Sequence, residues 1–363
     1  MEQENIMTYA TVTLDETDQT LVIIDQTQLP AKRVMLRLSQ PEDIWQAIHT
    51  LQVRGAPAIG VAAAIGLYAA AYRLTMTDRA AFCEKVREIK AYLATARPTA
   101  VNLFWALARM ERVLEQAGEE TVDMLKKRLH DEAVAIKEED TWVCRQIGEY
   151  GLTLIKDGDG ILTHCNAGQL ATSKYGTALA PIHLGRERGM DFKVYTDETR
   201  PLLQGVRLSA YEMQSAGVDT TVICDNMASV VMKNGWVQAI FVGCDRVAAN
   251  GDVANKIGTN TVAILAQYYH IPFYVCTPTA TIDWACASGD DIVIEERKPE
   301  EVTEMWYKER MAPEGVHVFN PAFDVTDNAL VTAIITEYGI IRAPYAENLA
   351  KLKAQLAAKE AAR

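Results

Sequence analysis

What the chain lacks narrows its chemistry first. It has no Cys-x-x-Cys pair, and its seven cysteines, at 83, 144, 165, 224, 244, 276 and 286, form an odd, scattered set. That argues against a disulfide framework and against a zinc knuckle, and favours a reducing compartment such as the cytosol. No G-x-G-x-x-G follows an apolar strand and no G-x-x-x-x-G-K-[ST] occurs, so neither a dinucleotide fingerprint nor a P-loop is present. Positive charge is scarce. The 36 Lys and Arg stand against 48 Asp and Glu, and the formal net charge of -12 argues against nucleic acid as a partner. Any phosphate bound here must meet a few local cations or helix N-termini.

The opening MEQENIMTYATVTLDETDQT has no apolar signal core, and its acidic residues disfavour a transit peptide, so the expected location is cytoplasmic. Long apolar runs are rare. One stretch, residues 55–72, holds 18 uncharged residues, just long enough to raise a membrane span. It is rich in Ala and Gly, contains Pro57 and stands alone, which predicts instead a helix buried all round in a protein core. No membrane partner is expected.

What is present is a globular balance, 49% hydrophobic and 23% charged over 363 residues, long for one core and comfortable for two. Residues 11–40 alternate apolar and polar (TVTL, TLVIID, RVMLRLS), the pattern of a small antiparallel meander. Helices are predicted to begin at Pro57, near Asp78 and at Pro98, the prolines suiting first-turn positions. Residues 118–150 are charge-rich with helical apolar spacing and read as a connecting helix. The expected division is an N-terminal domain of helices and a small antiparallel sheet over 1–130, followed by a C-terminal domain over 131–363. The tail ENLAKLKAQLAAKEAAR suits a surface helix or a partly disordered end.

From Gly160 onward, short apolar strands (GILTHCN, FKVYTDE, TTVICDN, VQAIFVGCD, PFYVCTP) alternate with helical segments. That is the pattern of an α/β fold with a parallel sheet, in which ligands bind beyond the carboxyl ends of the strands where strand order reverses. Those ends are rich in polar groups: Cys165 and Asn166, Asp197 and Glu198, Asp225 and Asn226, Asp245 and Arg246, and Thr277. His164 beside Cys165 suggests a thiol dyad, but neighbouring strand residues face opposite ways, which favours a structural His164. By the same alternation Cys244 points away from Asp245, and Cys83, Cys144, Cys276 and Cys286 are expected as small core residues. Asp245 by position alone is either a reacting group or a turn cap, and Asp225 is equally open between orienting a site and capping the next helix. Asp197 and Glu198 diverge as strand neighbours, so TDETRP is expected to be a loop that positions Arg200.

The segments RGAPAIG (54–60), THCNAG (163–168), TDETRPLLQGVRLSAYEM (196–213), DNMAS (225–229) and GCDRVAANGDVANKIGT (243–259) are spread over both expected domains. They resemble the 5-methylthioribose-1-phosphate isomerase family, part of a superfamily shared with ribose-1,5-bisphosphate isomerases and with regulatory subunits of the translation-initiation exchange factor. The resemblance implies a Rossmann-like C-terminal domain, a homodimer, an aldose-ketose isomerase of methionine salvage, and no metal or organic cofactor. It implies Cys165 and Asp245 as the catalytic pair. It also implies substrate contacts at Arg54, Gly55 and Ala56, at Arg97, at Gln204, and at Asn255 and Lys256. An isolated arginine such as Arg97 is ordinarily a solvated surface residue. Arg54 is better supported, because a Gly-Ala-Pro helix entry follows it and free N–H groups there can meet an anion.

The implied substrate poses a distinct chemical problem. Its anomeric oxygen carries phosphate, so the ring cannot open spontaneously to a free aldehyde. A general acid at the ring oxygen is needed, and Asp245 suits it if an apolar, water-poor pocket lets the carboxyl keep its proton. Cys165 is then expected to serve hydrogen transfer between C2 and C1, as a proton through an enolate or as a hydride. The alternatives are an isomerase of the same fold acting on 5-deoxyribose 1-phosphate or ribose 1,5-bisphosphate, and a non-catalytic regulatory subunit. Intact Cys165 and Asp245 speak against the last.

Overall fold

The computed structural model describes residues 5–98 and 100–361. They form two compact units: residues up to Cys144 with Gly168–Gly176, and Arg145–Ala167 with the chain from Thr177 onward.

The first unit opens with an antiparallel meander of β1 (Val12–Asp15), β2 (Thr20–Ile24) and β3 (Met35–Leu38), as the alternation predicts. Its helices are α1 (Pro41–His49), α2 (Ala56–Tyr72), α3 (Arg79–Ala94), α4 (Val101–Gln116) and α5 (Val122–Leu152), the last continuing into residues of the second unit. The uncharged stretch is α2, buried at every position from Ala58 to Ala71. Among the described residues no helix is long and apolar enough to cross a membrane. Small side chains make α2 a central post that others can approach closely. A Cβ on Gly60 would stand 2.9 Å from the Asn102 carbonyl oxygen of α4, and one on Gly66 would stand 2.7 Å from Ile44 Cγ2 of α1. The surrounding helices bring the larger apolar groups. In α4, Leu103, Ala106, Leu107, Met110, Val113 and Leu114 recur at helical spacing and are buried, and a fully buried Leu is worth roughly 1.5–3 kcal/mol. Asp78 starts α3 by accepting the Ala81 N–H at 2.8 Å. The helix expected at Pro98 begins later, at Val101.

The second unit is built on a sheet of seven strands, mostly parallel. In chain order its strands are β4 (Gly160–Thr163), β5 (Lys193–Asp197), β6 (Asp219–Ile223) and β7 (Ala239–Val242). There follow β8 (Arg246–Ala248), β9 (Val253–Lys256), β10 (Phe273–Cys276) and β11 (Ile282–Asp283). The last are β12 (Phe323–Thr326), β13 (Ala333–Thr336) and β14 (Gly339–Ile341). The large sheet runs β14-β13-β10-β7-β4-β5-β6, antiparallel only at β14. β4, β7, β10 and β13 are buried throughout, as strands covered on both faces should be. A four-stranded sheet, β11-β8-β9-β12, carries the chain that follows Asp245. The C-terminal segment forms a helix, Tyr345–Ala361.

Candidate active site

The strand order decides where a ligand belongs in the second unit. The chain goes from β4 outward through β5 to β6, then returns to place β7 on the other side of β4. The reversal therefore lies between β4 and β7, which pair in parallel through Ile161 with Ala239 and Leu162 with Ile240. Cys165 is two residues beyond the end of β4, and Asp245 three beyond the end of β7. The two loops touch: a Cβ on Gly243 would come 2.5 Å from Ala167 Cβ.

Cys165 is part-buried and held in a left-handed conformation with φ 66°. Such a backbone costs of order 1–3 kcal/mol in a residue other than glycine and persists only when its surroundings over-determine it. They do here. Its N–H donates to Thr199 Oγ1 at 2.8 Å, and its carbonyl accepts from Ser209 Oγ at 2.7 Å. Next to it, buried Asn166 donates to Glu212 Oε1 at 2.9 Å and to Ser209 Oγ at 3.1 Å.

His164 is structural, as the strand alternation predicts. It is buried, with Nε2 2.8 Å from the Ile257 carbonyl and Nδ1 2.9 Å from Asp197 Oδ2. A carbonyl can only accept, so Nε2 carries a proton. Burial opposes the charged ring, yet the hydrogen bond and charge of Asp197 outweigh it and shift His164 upward, while burial shifts Asp197 upward too. His164, Asp197 and Asp225 lie near enough together to suggest cation ligands. With Nε2 donating to a carbonyl and Nδ1 bonded to Asp197, however, His164 has no ring nitrogen to spare for a metal, and the donor set does not fit one.

Asp245 is exposed, and its N–H donates to the Ala254 carbonyl at 2.9 Å, tying the loop to β9. The water-poor pocket expected around it is therefore not supplied by burial of the residue itself. The neighbouring Cys244 donates to Thr277 Oγ1 at 3.1 Å, and burial pushes its thiol up to about 12, which removes it from nucleophilic chemistry. Cys83, Cys144, Cys276 and Cys286 are buried, as expected.

On β9, Asn255 donates to Thr259 Oγ1 at 3.0 Å. Lys256 is buried, its Nζ 2.9 Å from the Ala322 carbonyl and 4.2 Å from the centre of the Phe323 ring. One of its three donors is thus used. Gln204 is buried, and its Oε1 meets no hydrogen-bond partner among the described residues, an arrangement that calls for a ligand or water. It stands directly before a π-helical turn, Gly205–Ser209, of the kind that gathers at functional sites. The turn packs so tightly that a Cβ on Gly205 would lie 1.6 Å from the Asp197 carbonyl oxygen.

The structure thus brings Cys165, Gln204, Asp245, Asn255 and Lys256 into the second unit, Cys165 and Asp245 just beyond strand ends, Gln204 at the π-helical turn, and Asn255 and Lys256 on the β8–β9 hairpin. Arg54, Gly55, Ala56 and Arg97 belong to the first unit. There Arg54, Gly55 and Ala56 form the entry to α2. Gly55 has φ 90° and a Cβ would meet Ala171 backbone at 2.5 Å, so only glycine fits. Among the described residues no side chain caps that helix start. Arg97 is part-buried in the turn between α3 and α4.

Asp225 turns out to be neither a cap of the following helix nor idle. Its two carboxylate oxygens accept the Thr199 N–H at 2.7 Å and the Arg200 N–H at 2.8 Å. Sequence reasoning left this open, and it missed the buried Asn166–Glu212 pair altogether. The signal lay in an acid at 212 within an otherwise apolar helix face, since a buried carboxylate must have partners.

Residues 52–343 match the initiation factor 2 subunit family. The chain belongs to that family. It is 64% identical over 341 residues to a methylthioribose-1-phosphate isomerase of Symbiobacterium thermophilum, covering 94% of this chain and 95% of that one. It is 56% identical over 346 residues to a 5-deoxyribose 1-phosphate isomerase of Petrotoga mobilis, covering 95% and 99%. The crystal structure of 5-methylthioribose 1-phosphate isomerase from Pyrococcus horikoshii OT3 superimposes with a TM-score of 0.92 at 41% identity, over 97% of each chain. All three are named as isomerases of a sugar 1-phosphate, and the Pyrococcus horikoshii structure shares the α/β fold described above.

Proposed function

We infer that the protein is an aldose-ketose isomerase that converts 5-methylthioribose 1-phosphate to 5-methylthioribulose 1-phosphate, as in methionine salvage. The observation that carries this is the 64% identity over nearly the whole chain to an isomerase of that name, and the positions of Cys165 and Asp245 just beyond β4 and β7, on either side of the strand-order reversal, support it. In this reading Asp245 protonates the ring oxygen and the C1–O4 bond breaks. Cys165 then assists transfer of hydrogen from C2 to C1, and the C2 hydroxyl loses its proton, which restores the proton given up by Asp245, leaving a ketone at C2 and the phosphate ester at C1. Because Asp245 is exposed, the bound sugar must itself complete the water-poor setting its acid role requires.

For the phosphate and hydroxyls, the candidates are Arg54, Gly55 and Ala56, Arg97, Gln204, Asn255 and Lys256. Gln204 Oε1, buried and without a hydrogen-bond partner among the described residues, is suited to accept a substrate hydroxyl. Exposed Val222, Met227, Val230 and Trp236, from β6 and the chain after it, supply apolar surface of the kind that pairs two copies. A homodimer is the corresponding assembly, and sedimentation equilibrium tests it. Seven free cysteines suit a reducing, cytoplasmic setting.

A second reading, 5-deoxyribose 1-phosphate as the true substrate, draws on the 56% identical relatives of that name. The two differ only in the C5 substituent. Comparing kcat/KM on 5-methylthioribose 1-phosphate, 5-deoxyribose 1-phosphate and ribose 1,5-bisphosphate decides. Preference for the methylthio sugar is expected, and preference for either of the others reassigns the substrate. No turnover on any of them would leave a non-catalytic family member instead.

A further inference from the structure

The constraint on Cys165 originates two strands away. Strands β4, β5 and β6 end side by side at the head of the sheet. Beyond β6, the Asp225 carboxylate accepts the N–H groups of Thr199 and Arg200 beyond β5. This clamps a turn in which Thr199 has φ 64°, a conformation that a β-branched residue rarely adopts. So held, Thr199 Oγ1 donates its proton to the Asp197 carbonyl at 3.1 Å and turns a lone pair to the Cys165 N–H at 2.8 Å. Cys165, beyond β4, is itself left-handed.

Other uses of Asp225 fit less well. The short helix Ala228–Lys233 has Met227 at its cap position, and the Asp225 oxygens point sideways to β5 instead. Both oxygens are already engaged by charge-assisted bonds, the strong kind, to the turn in which Thr199 is left-handed.

We propose that Asp225 and Thr199 are positioning residues, a lateral relay across three strand ends that fixes the Cys165 backbone and so the direction of its thiol. This rests on the reading of Cys165 as a reacting group in an isomerase. Misplacing a reacting group by about 1 Å can cost roughly a hundredfold in rate, so the relay acts on turnover more than on substrate affinity.

The test uses the full chain with three variants. Thr199→Val keeps shape and branching but removes the hydroxyl, Thr199→Ser keeps the hydroxyl, and Asp225→Asn exchanges one acceptor for a donor. Thr199→Val is expected to lower kcat at least about tenfold with KM within about threefold, and Thr199→Ser to recover most of the loss. Asp225→Asn should fall between them. Amide hydrogen exchange supplies a readout that needs no substrate: peptides covering 163–168 should exchange about tenfold faster in Thr199→Val while those covering β10 stay unchanged. A folded Thr199→Val with wild-type kcat, unchanged exchange at 163–168, or a Thr199→Ser as impaired as Thr199→Val would overturn the proposal. Should Thr199→Val not fold, Asp225→Asn decides on the same two readouts. If the wild-type chain isomerises no sugar phosphate, the functional reading fails, while the exchange data still report whether the relay holds Cys165.

Discussion

The two units of this chain solve the problem of precision in different ways. In the helical core of the first, close fit is achieved by absence: α2 is a column of Ala and Gly against which larger apolar side chains settle. In the second, the core is equally apolar, but the head of the sheet is held by directed hydrogen bonds among buried polar groups. There Cys165, Thr199 and Leu203 all adopt left-handed conformations. Dispersion contacts are forgiving and many, so a packed helix unit tolerates small errors. A polar network in low dielectric does not, since each unmet group costs the full desolvation penalty. Left-handed residues also occur in the first unit, at Gln19, Leu51 and Tyr175, so what sets the head of the sheet apart is that Cys165 and Thr199 are joined there by a directed hydrogen bond.

Substitutions can break or sharpen this contrast. The largest effect is expected at the proposed reacting pair. Asp245→Asn should lower kcat roughly 10²–10⁴-fold and Cys165→Ser about 100-fold or more, with unfolding midpoints near wild type, measured by steady-state kinetics beside thermal denaturation. Near-normal turnover in either would remove that residue from the mechanism.

Gly205→Ala comes next. Its Cβ would stand 1.6 Å from a backbone oxygen, which cannot move like a side-chain end. Destabilisation of about 3 kcal/mol or more, with loss of turnover, is expected in urea titrations, because the overpacking meets backbone. A variant as stable as wild type would show the turn to be looser than described.

In the first unit, Asp140 accepts the Ser173 N–H at 2.6 Å, and burial pushes its carboxyl up to about 6. A folded pKa above the unfolded one means the folded state holds the proton more tightly. The contribution of Asp140 to stability is therefore full below pH 3.8 and is lost as pH rises through about 6. Asp140→Asn should gain stability relative to wild type between pH 4 and pH 7, by no more than about 3 kcal/mol. A difference that is flat with pH would contradict the assignment.

The smallest effect is expected for Gly66→Ala in α2. Helix propensity favours Ala by about 1 kcal/mol, whereas crowding costs roughly 1–3 kcal/mol. The new Cβ would meet Ile44 Cγ2 at 2.7 Å, so a net loss near 1 kcal/mol with unchanged kcat is expected. A large drop in kcat would mean that the helix unit is not mere packing.

Much of the fold was legible in the sequence because its signals are local. Alternation over 11–40 specified the meander, small residues over 55–72 specified a buried helix, and five apolar strands ending in polar residues specified the sheet and its reactive edge. The strand order, and hence the reversal that flanks Cys165 and Asp245, depends on long-range pairing and could not be read locally. Nor could the partners of Asp225, 25 and 26 residues away along the chain. The start of α4 was set three residues early, because Pro98 suits a first turn but the chain turns again before Val101. The enclosure assumed for Asp245 depends on what covers a strand end, which alternation does not encode.

The most direct test is the reaction itself. Wild-type chain incubated with 5-methylthioribose 1-phosphate labelled with carbon-13 at C2 should convert the labelled carbon to a ketone, followed by carbon NMR, with the phosphate retained on C1 and the conversion lost in Asp245→Asn. An unchanged C2 resonance, or release of inorganic phosphate without a ketone, would contradict it.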